Sequence, residues 1–210
     1  MPGERLLAWA VVVLPGQVLH THGVDDPFDC RALRIHQPGK LLPNRASYEI
    51  FDDQRRLVAI ASEIEAHTRL KVLSKSMPDA RVLMVTTAAN EPVLTIIKHA
   101  RERITELQGP AGEPAGRIRA TQTTRHYTLI DDRDETVGKV VGDLALKHFS
   151  VTGTTGREFA RIRKTWAGLK EMVTPADHYH VEFTAPVSPP ARTLTVIMAI
   201  VLDLTLYGPV

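Results

Sequence analysis

From Arg31 onward, short apolar and β-branched runs alternate with turn residues roughly every ten positions, a spacing that predicts an all-β sandwich or barrel. Residues 32–36 form the first run. Residues 47–51 and 57–61 flank a turn at 52–55, and residues 82–86 and 93–97 flank a second at 88–92. Residues 103–107 and 117–121 flank a Gly/Pro loop. Residues 126–130 turn into 136–141, residues 148–151 turn at 153–156 into 159–164, and residues 179–183 close the series. That makes close to twelve strands. The segment 116–121 (GRIRAT) echoes 160–165 (ARIRKT), each a second hairpin strand with Ile on one face and Arg on the other. Segments 63–71 and 141–147 break the alternation, and each can hold a helical turn.

The pattern changes once more at the end. Between Leu194 and Leu206 only Thr195, Asp203 and Thr205 interrupt an apolar run, and Tyr207-Gly208-Pro209 supplies a stop signal, so one helix is expected over about residues 191–207. Thr195, Ala199 and Asp203 share one narrow stripe; the other faces are Val, Ile, Leu and Met. Such a helix must be enclosed by lipid or by protein. Thirteen residues at about 1.5 Å each reach roughly 20 Å, short of a hydrocarbon core of roughly 30 Å, which favours protein. A twelve-stranded meander has two edges, and closing it removes both while leaving an interior too wide for strand side chains alone. The expected fold is therefore mainly β: a closed twelve-stranded barrel around a central hydrophobic C-terminal helix, one domain over residues 31–210.

Residues 1–30 read differently. Residues 6–14 have the shape of a short signal-peptide core, but Pro15-Gly16-Gln17 offers no small-x-small cleavage site. A flexible leader or an extension upstream of the true start is expected there, with residues 15–30 as loop.

Composition narrows the function classes. A formal net charge of +2 over 210 residues demands no polyanion, and no nucleic-acid partner is expected. The single cysteine, Cys30, excludes an intramolecular disulfide and any multi-thiolate zinc site, and has no evident activating neighbour. No Gly-x-Ser-x-Gly elbow, phosphate loop, His-Glu-x-x-His or dinucleotide fingerprint occurs, so no catalytic residue, cofactor or metal is assigned and a non-enzymatic protein is expected.

The candidate residues are few. Asp203, a carboxylate inside an apolar helix, needs a partner or a shifted pKa. It either reaches solvent at the barrel rim, pairs with a strand arginine, or marks an ion or headgroup path. Arg117, Arg119, Arg161 and Arg163 are candidates for lipid binding, because a guanidinium presents two parallel donors to a phosphate headgroup; a plain charged barrel exterior is the other reading. His178 and His180, like His20 and His22, sit two apart, a weak metal-ligand spacing without a third ligand. The acidic run 131–135 and residues 153–156 read as hairpin turns.

Leu33-Arg34-Ile35-His36-Gln37, then Tyr48-Glu49-Ile50-Phe51-Asp52, the repeated hairpins, and Asp177 to Phe183 ahead of an apolar helix carrying Leu202-Asp203 together resemble the phospholipid scramblase and LURP-one-related group. The likeness covers roughly residues 31–208. It implies the tubby-like fold, a twelve-stranded barrel threaded by a hydrophobic helix, and a phospholipid or membrane surface as partner. A non-enzymatic protein that binds phospholipid, another apolar ligand or a membrane surface is expected, cytoplasmic and peripheral at the inner face of the membrane. The alternative is a membrane-inserted scramblase using the helix as a short span. Animal scramblases carry an acidic calcium-binding segment between the last strand and the helix; here residues 185–190 (APVSPP) contain no carboxylate, which puts calcium dependence in doubt.

Overall fold

The computed structural model describes residues 26–38, 46–64, 81–99, 102–121, 125–166 and 177–206. Twelve antiparallel strands follow one another as neighbours and close on themselves. They are β1 (Ala32–His36), β2 (Ser47–Asp52), β3 (Leu57–Glu63), β4 (Arg81–Thr87), β5 (Pro92–Lys98) and β6 (Ile104–Gln108), then β7 (Pro114–Ala120), β8 (His126–Ile130), β9 (Thr136–Gly142), β10 (His148–Thr152), β11 (Glu158–Trp166) and β12 (Asp177–Phe183). The barrel closes where β1 pairs with both β12 and β2, Ile35 standing opposite Tyr179 on one side and Ile50 on the other.

Alternation decides which side chains fill it. Leu33 and Ile35 of β1, or Leu83 and Val85 of β4, are buried, and the residues between them face out. In the echoing strands Ile118 and Ile162 both point inward and their flanking arginines outward, as the period of two requires.

The space inside is taken by α1 (Pro189–Leu206). Every residue from Leu194 to Leu204 is buried, so no side of the helix is left for water. Its many β-branched residues are mediocre helix formers, and enclosure supplies what propensity lacks: each buried aliphatic side chain contributes about 1.5–3 kcal/mol. The start is fixed locally. Pro189 and Pro190 occupy the first turn, where a missing N–H costs nothing, and the Ser188 carbonyl accepts the Arg192 amide at 2.9 Å. The helix begins five residues before the apolar run at Leu194, which gives 18 residues, or about 27 Å. Length alone thus no longer argues against a span; burial inside the barrel does.

The two ends of the barrel differ. Where α1 enters, five hairpins share one turn: the first residue exchanges hydrogen bonds with the fifth and fourth, as in Asp52–Arg56 and Gly153–Arg157. The fourth, namely Arg55, Asn90, Gly112, Asp134 or Gly156, has positive φ. Each is a type I turn followed by a bulge. Where α1 leaves, the described connection is the β9–β10 turn. It holds Leu146 at φ 55°, where a helical turn over residues 141–147 was expected. Val141 and Gly142 stay in β9, since the Gly142 amide keeps pairing to the Arg125 carbonyl at 2.7 Å.

Upstream of the expected domain start, Phe28 is fully buried against the core, held there by Arg192. The Arg192 guanidinium donates to the carbonyls of Cys30 (2.6 Å) and Phe28 (3.2 Å) and lies 4.3 Å over the Phe183 ring. Of the leader expected over residues 1–30, residues 1–25, His20 and His22 among them, lie outside the described residues.

Candidate functional site

A buried, hydrogen-bonded carboxylate lies inside the exit end of the barrel. Asp203 sits near the C-terminus of α1 and is 4% exposed, so it does not reach solvent at the rim. Two inward tyrosines hold it. The Tyr48 hydroxyl donates to Oδ2 at 2.8 Å and the Tyr179 hydroxyl to Oδ1 at 3.3 Å. Burial, and then the Asp203 charge, push the Tyr48 phenol far above its ordinary 10.0, so it stays protonated and donates to the carboxylate. Beside them Lys164 of β11 faces inward at 5% exposure, its ammonium 5.6 Å from the Tyr179 ring centroid, and it stands opposite Tyr179 in the β11–β12 register. At the adjacent rim Arg81 pairs with Glu63 at 2.8 Å, and Glu63 also accepts the Ala46 amide.

Tyr48, Tyr179 and Lys164 are not conspicuous in the sequence, but a signal exists. Each shares parity with a neighbouring core residue, Ile50, Val181 or Ile162, so the strand period places all three inside. Thr195, on the Asp203 stripe, satisfies itself by donating to the Ala191 carbonyl at 2.7 Å.

The four arginines divide into two pairs. Arg117 and Arg119 stand on the outer face of β7, Arg161 and Arg163 on that of β11, and three strands lie between. Arg117 pairs with Asp134, Arg161 with Glu158 at 2.6 Å, and Arg163 with Glu182 at 3.1 Å. The outer face from β10 to β1 carries one continuous row: the registers match His148 with Arg163, Arg163 with His180, and His180 with Arg34. Burial, then Arg163 and Arg34 against an opposing Glu182, hold the His180 imidazole below its ordinary 6.5. Nearer the rim His178 stacks on His36 with ring centroids 4.4 Å apart, and His36 faces Glu49 at 3.5 Å. Among the described residues no three His, Cys, Asp or Glu side chains converge as a metal-ligand set. Cys30 is pushed up by burial and then by Asp52, Asp53 and Asp29, which keeps it a thiol.

A closed antiparallel barrel whose bore is filled by an apolar helix, anchored through a buried carboxylate, defines a packed β-barrel class. The scramblase family model matches residues 46–208, and the chain belongs to that family, whose members are generally lipid-handling proteins without enzymatic activity. No curated protein and no solved structure matches the chain significantly. β1 lies upstream of the matched segment, yet it is the strand through which the barrel closes.

Proposed function

We propose that this chain is a non-enzymatic scramblase-family barrel that binds a phospholipid, another apolar ligand or a membrane surface. It works in the cytoplasm, peripheral at the inner face of the membrane. The observation that carries this reading is the enclosure of α1. A helix whose residues 194–204 are all buried by strands is already satisfied. Withdrawing it into lipid would expose the inward side chains of the wall and break the Tyr48 and Tyr179 contacts to Asp203. Family membership supports the lipid connection, and outward arginines, including Arg117, Arg119, Arg161 and Arg163, supply headgroup-binding chemistry.

A second reading, a membrane-inserted scramblase with α1 as the span, is favoured by one observation: α1 is long and apolar enough to cross a bilayer by length and composition. Fractionation separates the two. The first reading expects recovery of the full chain without detergent as a monodisperse protein that floats with added vesicles. Recovery only in detergent-extractable membranes, with lipid flipping after reconstitution, would establish the second.

A further inference from the structure

The β9–β10 turn at the exit end is unlike the five turns at the entry end. Those place Arg55, Asn90, Gly112, Asp134 and Gly156 at the position with positive φ; here a leucine, Leu146, takes it. A leucine tolerates that conformation poorly. It is kept because its side chain packs back on the core as an anchor. The consequence is at the tip: Leu144 is thrown outward and is 87% exposed, by far the most exposed of the large hydrophobic side chains described. Val141, outward on β9 just below it, is 44% exposed.

The surroundings of this tip are basic. Lys147 and His148 close the turn, both exposed, His126 of the neighbouring strand β8 stands opposite Val141, and Arg125, just before β8, accepts the Gly142 amide through its carbonyl. The outer row His148, Arg163, His180 and Arg34 begins at the foot of the same turn. The nearby acids are engaged. Asp143 turns into its own loop to accept the amides of Lys147 (2.8 Å) and His148 (3.3 Å), and Glu182 pairs with Arg163.

An exposed leucine with lysine and arginine side chains on the wall beside it matches one environment: the boundary of an anionic bilayer, where acyl chains take the leucine and phosphates take the guanidinium and ammonium groups. We infer that the β9–β10 turn is the part of the barrel that docks on an anionic phospholipid bilayer, Leu144 inserting and Lys147, Arg163 and Arg34 contacting headgroups. The inference rests on the surface-binding reading above and names the surface. It uses Arg163 but neither Arg117 nor Arg119, which stand beyond β8 on β7.

The test is co-flotation of the full chain with vesicles of phosphatidylcholine and phosphatidylserine, beside vesicles of phosphatidylcholine alone. The parent is expected to bind the mixed vesicles and lose binding as salt rises. Leu144→Asp is expected to weaken binding about tenfold. Arg34→Gln combined with Arg163→Gln should weaken it about fivefold per charge and flatten the salt dependence. Leu144 is exposed, so Leu144→Asp should unfold at the parent's urea midpoint, and that measurement accompanies the binding. If the parent floats and a normally folded Leu144→Asp floats equally well, the docking assignment is overturned while membrane binding stands. If the parent binds neither vesicle, surface binding and the assignment fall together. Equal loss with Leu144→Ser would attribute the effect to the missing leucine; retention by Leu144→Ser would reduce it to charge repulsion and overturn the insertion.

Discussion

The Tyr48 hydroxyl donates to the Asp203 carboxylate across 2.8 Å, joining the second strand of the barrel to the end of the helix 155 residues later in the chain. Tyr179 reaches the other carboxylate oxygen from β12, so the depth and rotation of α1 are set from the two strands that flank β1. An apolar helix in an apolar bore has little to fix its register, and one polar group with designated donors provides it.

Tyr48→Phe is therefore expected to destabilise the barrel by about 1.5–3 kcal/mol, the range for losing a hydrogen bond to a charged acceptor. Tyr179→Phe, whose contact is longer, should cost less, about 1 kcal/mol. Urea unfolding of the two variants decides it, and equal costs would show that Tyr48 is not the principal anchor. Asp203→Leu separates anchoring from a headgroup path: lower stability with unchanged vesicle binding of the folded protein is the expected result.

Gly116 lies on β7 facing the helix, with φ +126°. A Cβ there would stand 2.7 Å from the Ile130 carbonyl oxygen of the next strand and 3.4 Å from Leu194 of α1. Gly116→Ala thus meets both backbone strain and rigid backbone atoms. A loss of about 1–3 kcal/mol is expected from the thermal or urea midpoint.

Asp143 provides a pH dependence. Burial pushes its carboxyl up, but the amides of Lys147 and His148, together with the His148 charge, outweigh that and hold it below the ordinary 3.8. A depressed folded pKa means that the unfolded chain takes the proton first. The contribution is present above pH 3.8 and is lost as pH falls through the folded value. Asp143→Asn should lower the urea midpoint at neutral pH and flatten its fall in acid. The flattening is partial, since Asp52 and Glu158 are shifted downward as well. An unaltered acid slope would remove Asp143 from the account.

The four candidate arginines give a contrast between faces. Arg161→Gln with Arg163→Gln alters the outer face beside the basic row, whereas Arg117→Gln with Arg119→Gln alters β7 beyond it. Vesicle co-sedimentation is expected to weaken for the β11 pair by a few fold per charge and to change less for the β7 pair. Equal effects would spread headgroup contact over the wall, and no effect from the four together would end the role of these residues.

The period of two in the strands, the turn residues between them and the all-round apolar tail were enough to reach a closed twelve-stranded barrel with a helical plug, because those patterns follow from which side chains must leave water. Local signals were less reliable where pairing partners decide. Residues 141–147 have helical composition, but the β8 and β10 ladders draw them into a strand and a turn. The helix start moved to Pro189 because the backbone cap, not the apolar run, sets it.

What the chain order alone determined is which positions of the strands and the helix face inside. Which of them meet was decided only by closure. Asp203 announces a need for a partner, but a strand tyrosine at position 48 and another at 179 become its donors only when β1 zips β2 to β12 and brings the two ends of the wall together around α1. The same holds outside. The four arginines stand alike in sequence, and the number of strands between β7 and β11 separates them on the surface, while His148, Arg163, His180 and Arg34, scattered over the chain, fall into one row because antiparallel registers align them. Periodicity is a property of a segment; adjacency across a closed sheet is a property of the whole circuit.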